Sequence, residues 1–414
     1  MNRGPLTGIR VLDLSTMLAG PWCADILGDQ GADVIKVEVP GSGDHVRSLR
    51  NRSGGLPSMF VNINRSKRSI ELNLKDEEGR MAFLELVGGA DVVVQNFRPG
   101  VVDRLGIGYE CARAANPAIV YLSLSGFGER GPYAHKRVYD PVVQALSGLT
   151  TIQAGSDDER PRLIRTVLPD KLTAVTAAQA VTAALLARES TGVGQHVRLS
   201  MLDSVVAFLW ASDMGGQTFV DKPTSAQAAA SFRVLIYETK AGHITVSVMS
   251  NAEWQALCRA LDRPEWLDDE RFSTPSGRDE HANKRLAMTQ EVLLERTAVE
   301  WLEILDRHDV PSAPALTRNE LIEHPQILAA EVVIEVEHPT AGRVRQARPA
   351  ARFEGTPVGP PRGAPRLGAH TDEVLEELGY SCERIAALRQ VGAIGPDRRT
   401  AAAETAEAVA ERAA

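Results

Sequence analysis

Cysteine is scarce. Only Cys23, Cys111, Cys258 and Cys382 occur in 414 residues, none in a C-x-x-C pair, which excludes a disulfide framework and leaves buried thiols as the expectation. Long apolar runs are missing as well. No stretch approaches a membrane span, and Met1-Asn-Arg-Gly-Pro-Leu6 carries no apolar core of signal length, so the expected location is cytoplasmic, with no membrane partner. Positive charge is in deficit: a formal net charge of -8 argues against general affinity for nucleic acid, while leaving room for a local basic cleft. The nine histidines contain no pair at metal-ligand spacing such as H-E-x-x-H, so no metal site is expected. The sequence also lacks any G-x-S-x-G, and no cysteine has flanks that suggest catalysis. With serine and cysteine nucleophiles unsupported, a carboxylate is the remaining candidate.

What is present is an ordinary globular composition, 43% hydrophobic and 24% charged, in a chain long enough for two domains. Ile9-Arg-Val-Leu-Asp-Leu14 reads as a buried strand, Pro21 to Gln30 as a helix and Ala32-Asp-Val-Ile-Lys-Val-Glu38 as a second strand. This is the opening βαβ unit of a nucleotide-binding domain. Its loop, Ser15-Thr-Met-Leu-Ala-Gly-Pro21, has one glycine where the dinucleotide fingerprint needs three. An anion could still sit on the helix N-terminus.

Further strands are expected at Ser69–Leu74, Asp91–Phe97 and Ala118–Ser125, with a helix from Asp76 to Gly88-Gly89 and a short one around Tyr109 to Asn116. Alternating strands and helices with continuous apolar strand cores imply a Rossmann-like α/β domain, its parallel sheet covered on both faces. An Ala- and Thr-rich helix runs from Asp170 to Glu189, open to close approach by neighbours. Near residue 222 the texture becomes α+β, with paired strands at Phe232–Tyr237 and His243–Val248 and helices bearing Trp254, Met288 and Trp301. The expected division is a discontinuous large domain of residues 1–222 and 330–414 around a small α+β domain of 223–329. A hairpin at Val332–Glu337 and Arg343–Arg348, a Pro-rich coil and a helix near Asp372–Leu378 follow, before an Ala-rich tail from Thr400 that is expected to fray.

Gly126-Phe-Gly128-Glu-Arg-Gly131 matches G-x-G-x-x-G after a strand, but Pro132 follows and a tight turn explains it equally well. Glu38 stands where NAD enzymes place a ribose-binding acid. Asp170 follows Arg165-Thr-Val-Leu-Pro169, and its plain reading is an N-cap. A capping carboxylate is also a fixed one. With an ordinary pKa of about 4 it would need positioning and a dry electrophile more than activation. Lys75, Arg98, Arg104, Lys136 and Arg137 each read as solvated charges; together they stand at strand ends, where open α/β sheets bind ligands, and would suit a phosphate-rich one.

The chain resembles class III coenzyme A transferases, the CaiB/BaiF family, over nearly its whole length. The matching stretches include Pro5-Leu-Thr-Gly-Ile-Arg-Val-Leu-Asp-Leu14, Ala19-Gly-Pro21, Gly31-Ala-Asp-Val-Ile-Lys-Val-Glu38, Lys67-Arg-Ser-Ile70, Gln95-Asn-Phe-Arg-Pro-Gly100, Ser125-Gly-Phe-Gly128, Thr191-Gly-Val-Gly-Gln195 and Leu367-Gly-Ala-His-Thr-Asp372. The resemblance implies an interlocked homodimer of ring-like chains. It implies Asp170 as the catalytic residue, and coenzyme A contacts from Met17, Leu18, Ala19, Leu72, Lys75, Asn96, Phe97, Arg98, Arg104 and Arg137. Coenzyme A would be a substrate, with no tightly bound cofactor. The implied reaction moves it from an acyl-CoA to a carboxylic acid through an anhydride and then a thioester on Asp170.

Departures narrow the expectation. Formyl-CoA transferases carry a glycine-rich loop where this chain has Gln227-Ala-Ala-Ala-Ser231, a glutamine at the place of Leu18 and a basic residue at that of Val39. Formate and oxalate are therefore disfavoured. The family's 2-methylacyl-CoA racemases use a His-Asp pair where Tyr139-Asp140 stands, and His135 lies four residues too early. Racemase is the alternative activity, and a non-catalytic acyl-CoA-binding relative the alternative from another class.

Overall fold

Apolar runs Val11-Leu12, Val34-Ile35, Val92–Val94 and Val120–Leu122 are wholly enclosed, as a sheet covered on both faces requires. The computed structural model describes residues 4–221 and 235–397; Gln227–Ser231 and the tail from Thr400 lie outside them. Six strands form one parallel sheet: β1 (Arg10–Asp13), β2 (Asp33–Glu38), β3 (Arg68–Glu71), β4 (Val92–Gln95), β5 (Val120–Ser125) and β6 (His196–Ser200). Their order, 3-2-1-4-5-6, is that of doubly wound nucleotide-binding folds, with the topological switch between β1 and β4.

One face is packed by α1 (Ala19–Asp29) and by α4 (Leu168–Thr191). Cys23, Ala24 and Leu27 share a core with Ala174, Ala177, Ala178 and Val181. The small side chains of α4 let the two helices approach closely. On the other face lie α2 (Glu77–Gly88), capped by the Asp76 side chain on the amides of Glu78 and Gly79, and two C-terminal helices, α8 (Thr371–Glu377) and α9 (Cys382–Gln390). Leu375, Ile385, Leu388 and Ile394 join Leu12, Ile35, Ile70 and Phe83 in that second core. The C-terminal segment thus completes the large unit. It is also tied to β3, where the His370 amide donates to the Ser69 carbonyl at 2.9 Å and the Glu71 amide to Thr371 Oγ1 at 3.1 Å.

Two shorter helices, α3 (Asp140–Leu146) and α5 (Met201–Trp210), share a small core through Val143, Met201, Val205 and Leu209. The second compact unit spans Ala230–Val333. It holds an antiparallel sheet of β7 (Ile236–Glu238), β8 (His243–Val246) and β9 (Ser312–Pro314). Helices α6 (Asn251–Ala260) and α7 (Ala298–Arg307), each opened by a capping box, bury Trp254 and Trp301 against it. Strands β10 (Val333–His338) and β11 (Gly342–Ala347) pair beyond it.

Several expectations shift. Five of these elements had not been expected: β6, β9, α3, α5 and α9. Helix α4 starts at Leu168, with Val167 at the N-cap and no side-chain cap, so Asp170 is the third residue of the helix and not its cap. Pro169 explains the earlier start, because proline suits a first helical turn whose amides are unpaired anyway.

Candidate active site

The loop after β1, the loop after β4 and the N-terminus of α4 meet at the carboxyl ends of the strands, around a cavity of about 590 Å³. Met17, Leu18, Ala19, Asn96, Phe97, Arg98, Arg137 and Asp170, all singled out from the sequence, lie on its lining. Leu72, Lys75 and Arg104 do not. Leu72 has its side chain in the core, while Lys75 and Arg104 are exposed, Arg104 beside Gly100. Among the described residues no ion pair occupies Arg98 or Arg137, both exposed.

The loop after β1 is held at three successive amides. Ser15 N–H donates to Asp13 Oδ1 at 3.0 Å, Thr16 N–H to Asn96 Oδ1 at 2.9 Å and Met17 N–H to Asp44 Oδ1 at 3.1 Å. Asn96 Nδ2 returns a bond to the Thr16 carbonyl at 2.8 Å. Met17 is pinned at φ 72°, a left-handed conformation that costs a non-glycine residue about 1–2 kcal/mol. The loop delivers the first amide of α1, that of Ala19, to the carboxylate of Asp170 and so favours its charged form.

Asp140 was noted in the sequence only as the neighbour of Tyr139, yet it is the group nearest in chemistry to Asp170. It is buried at the start of α3. Its Oδ2 accepts the Asp170 amide at 3.1 Å, and its Oδ1 accepts Gln144 Nε2 at 2.6 Å. Asp140 therefore supplies from another helix the cap that Val167 cannot. Gln144 also accepts the Ile164 amide at 2.9 Å and donates to the Thr166 carbonyl at 3.2 Å, fixing the approach to α4. Burial, and then the like charge of Asp140, push the Asp170 carboxyl up to about 6. The ordinary acidity expected from sequence is thus corrected, although at neutral pH the group is still mostly ionised.

The dinucleotide reading loses its two supports. Glu38 is committed to Arg47 at 2.6 Å, to Ser69 Oγ at 2.7 Å and to the Asp44 amide at 2.9 Å. Gly126 abuts Val138, Gly128 and Gly131 have φ of 82° and 89°, and no helix follows them directly, so this is a turn and not a phosphate cradle. No group of histidines, cysteines and carboxylates able to hold a metal occurs among the described residues. No described helix is long and apolar enough to cross a membrane.

With a parallel sheet, a cavity at its switch point and the carboxylates of Asp140 and Asp170 on its lining, comparison with known proteins becomes decisive. Residues 6–371 match the model of CoA-transferase family III. The chain belongs to that family. Its reaction is the transfer of coenzyme A. It is 32% identical to the succinyl-CoA:glutarate CoA-transferase of Homo sapiens, over 95% of this chain and 90% of that one. It is 31% identical to a formyl-CoA:oxalate CoA-transferase of Rhodopseudomonas palustris, over 96% and 99%. Among solved structures, a CaiB/BaiF family protein from Brucella suis superposes with a TM-score of 0.79 at 29% identity, covering 91% of this chain and all (100%) of that one.

Proposed function

We propose that this family III transferase moves coenzyme A from an acyl-CoA donor to a carboxylic acid through covalent intermediates on Asp170. The observation that carries the reading is the setting of that carboxylate. Asp140 has both oxygens engaged, whereas no side chain among the described residues hydrogen-bonds the Asp170 carboxylate, which faces a cavity walled by Met17, Leu18, Met59, Phe127 and Met201. An apolar wall limits water, as an anhydride intermediate demands.

An Asp170 oxygen attacks the thioester carbonyl and the C–S bond breaks, giving a mixed anhydride and CoA thiolate. The thiolate attacks the aspartyl carbonyl, the donor acid leaves, and a thioester to Asp170 remains. The acceptor carboxylate then attacks this thioester and frees the thiolate, which takes the new acyl group and restores Asp170. No net proton or electron is exchanged. Coenzyme A is a substrate that stays bound throughout, and we assign its contacts to Met17–Ala19, Leu72, Lys75, Asn96–Arg98, Arg104 and Arg137, with Leu72 acting through its main chain. Succinyl-CoA with a dicarboxylic or branched acid is the first pairing to try, in view of the human relative's activity and the apolar Leu18. The partner of Asp170 is a carboxylate, and no histidine lines the cavity, which disfavours two-base racemisation. An interlocked homodimer belongs to the same reading.

Hydroxylamine tests it. With acyl-CoA present, it should inactivate the enzyme and leave a hydroxamate on Asp170, found by peptide mass, while Asp170→Ala should abolish transfer and retain CoA binding. A hydroxamate on another carboxylate, or transfer by the alanine variant, would refute the assignment.

A further inference from the structure

Four charges are sealed under the loop after β1. The side chains of Asp13, Lys36, Asp44 and Lys67 are all 0% exposed. Lys36 Nζ reaches the Ser15 carbonyl at 2.9 Å, Asp44 Oδ2 at 3.0 Å and Asp13 Oδ2 at 3.5 Å. Lys67 Nζ bonds Asp13 Oδ2 at 2.8 Å, the Pro21 carbonyl at 2.7 Å and Asn64 Oδ1 at 2.9 Å. Burial opposes the charge on Asp13, yet the two lysines hold its carboxyl down to about 2; two acids thus face two bases.

Such clusters are poor stabilisers. Desolvation of each ion consumes most of the Coulombic gain, and well-packed apolar residues often serve as well or better. What this one does is geometric. Besides the side chains of Asn64 and Ser15 and the Val46 amide, the quartet grips main-chain groups of the loop and of the first turn of α1: Lys36 holds the Ser15 carbonyl, Asp44 the Met17 amide, Asp13 the Ser15 amide and Lys67 the Pro21 carbonyl. Gly20 completes the fit, because a Cβ there would lie 2.3 Å from that of Ser15.

We propose that Asp13, Lys36, Asp44 and Lys67 are positioning residues of the transfer reaction, holding Met17 in its left-handed conformation and the Ala19 amide against Asp170. This rests on Asp170 being the nucleophile. The quartet does not touch substrate; it sets where the attacking carboxylate and the Ala19 amide that steadies it can meet.

The test is the pair Lys36→Met with Asp44→Ala, which removes one charge of each sign and two of the tethers. Expected are near-native far-UV circular dichroism and kcat lower by about tenfold or more, since misplacement by about 1 Å can cost a hundredfold, with a smaller loss in CoA affinity through the same loop. The acid limb of kcat/KM should also move to higher pH, because Asp170 loses the Ala19 amide; a role confined to stability would leave that limb in place. If the pair does not fold, the isosteric Asp44→Asn decides, with an expected loss in kcat of about threefold and the same direction of shift. A folded variant with unchanged kcat and acid limb overturns the proposal. Hydroxylamine labelling of the wild type separates the two failures: a label away from Asp170 refutes the nucleophile, whereas a label on Asp170 with indifferent variants refutes only the positioning.

Discussion

Asp170 carries a conflict that can be measured. Its carboxyl is raised to about 6 by burial and by Asp140, so the folded chain binds this proton more tightly than the unfolded one, and stability contributed by the group falls as pH rises from about 4 to 6. At neutral pH the charge opposes folding. Asp170→Asn should therefore raise stability at pH 7.5 by about 1–2 kcal/mol, discounted for residual solvent access, while eliminating transfer; thermal unfolding at pH 7.5 and at pH 4, where the gain should vanish, checks the sign. The same reasoning places the acid limb of the wild-type kcat/KM profile near pH 6, since only the ionised form attacks. Asp140→Asn removes the like charge and can still accept the Asp170 amide, so that limb should move toward ordinary carboxylate acidity; a profile that stays put would show that burial alone sets the shift. Asp170 itself was legible, because it stands after Pro169 in a matching frame. Asp140 was not, because its connection to Asp170 spans thirty residues of chain and appears only when α3 and α4 are brought together.

At the scale of elements, the large unit depends on its C-terminal helices. Leu375 is fully buried beside Leu12, Ile35 and Phe83, so Leu375→Ala should cost about 2–5 kcal/mol; denaturant unfolding would show it, and a loss below about 0.5 kcal/mol would mean that α8 is peripheral. Strands β1, β2, β4 and β5 could be read from sequence because enclosed strands of a parallel sheet are continuously apolar. Strand β6 escaped notice at the sheet edge, where Arg198 is exposed and only Ser200 is fully buried. Helix α9 escaped because Ile385 and Leu388 are its only buried residues, too few for a periodic signal. The charged quartet did leave a trace: Asp13 and Lys36 interrupt the apolar runs of β1 and β2, and a charge inside an enclosed strand calls for a buried partner.

For the whole molecule, coenzyme A is a polyanion offered to a protein of net charge -8, so local cations must outweigh the global repulsion. Arg104→Ala should weaken CoA binding by about 1–3 kcal/mol, and affinity should fall as salt rises; calorimetry at two ionic strengths reads both, and a salt-independent Kd would remove the basic cleft from the account. The proposed dimer would cover what one chain leaves open. Leu186, Phe208, Trp210 and Phe219 are each at least 48% exposed on α4, α5 and the stretch after it, an apolar surface that a covering partner would bury. If that partner is a second ring threaded through the first, as the family resemblance implies, the subunits cannot part while folded. Differently tagged dimers, mixed natively, should then stay unmixed for as long as the fold persists and form hybrids only after unfolding and refolding together. Native mass spectrometry follows this directly, and hybrids appearing within minutes would rule out the interlock while leaving an ordinary dimer in place.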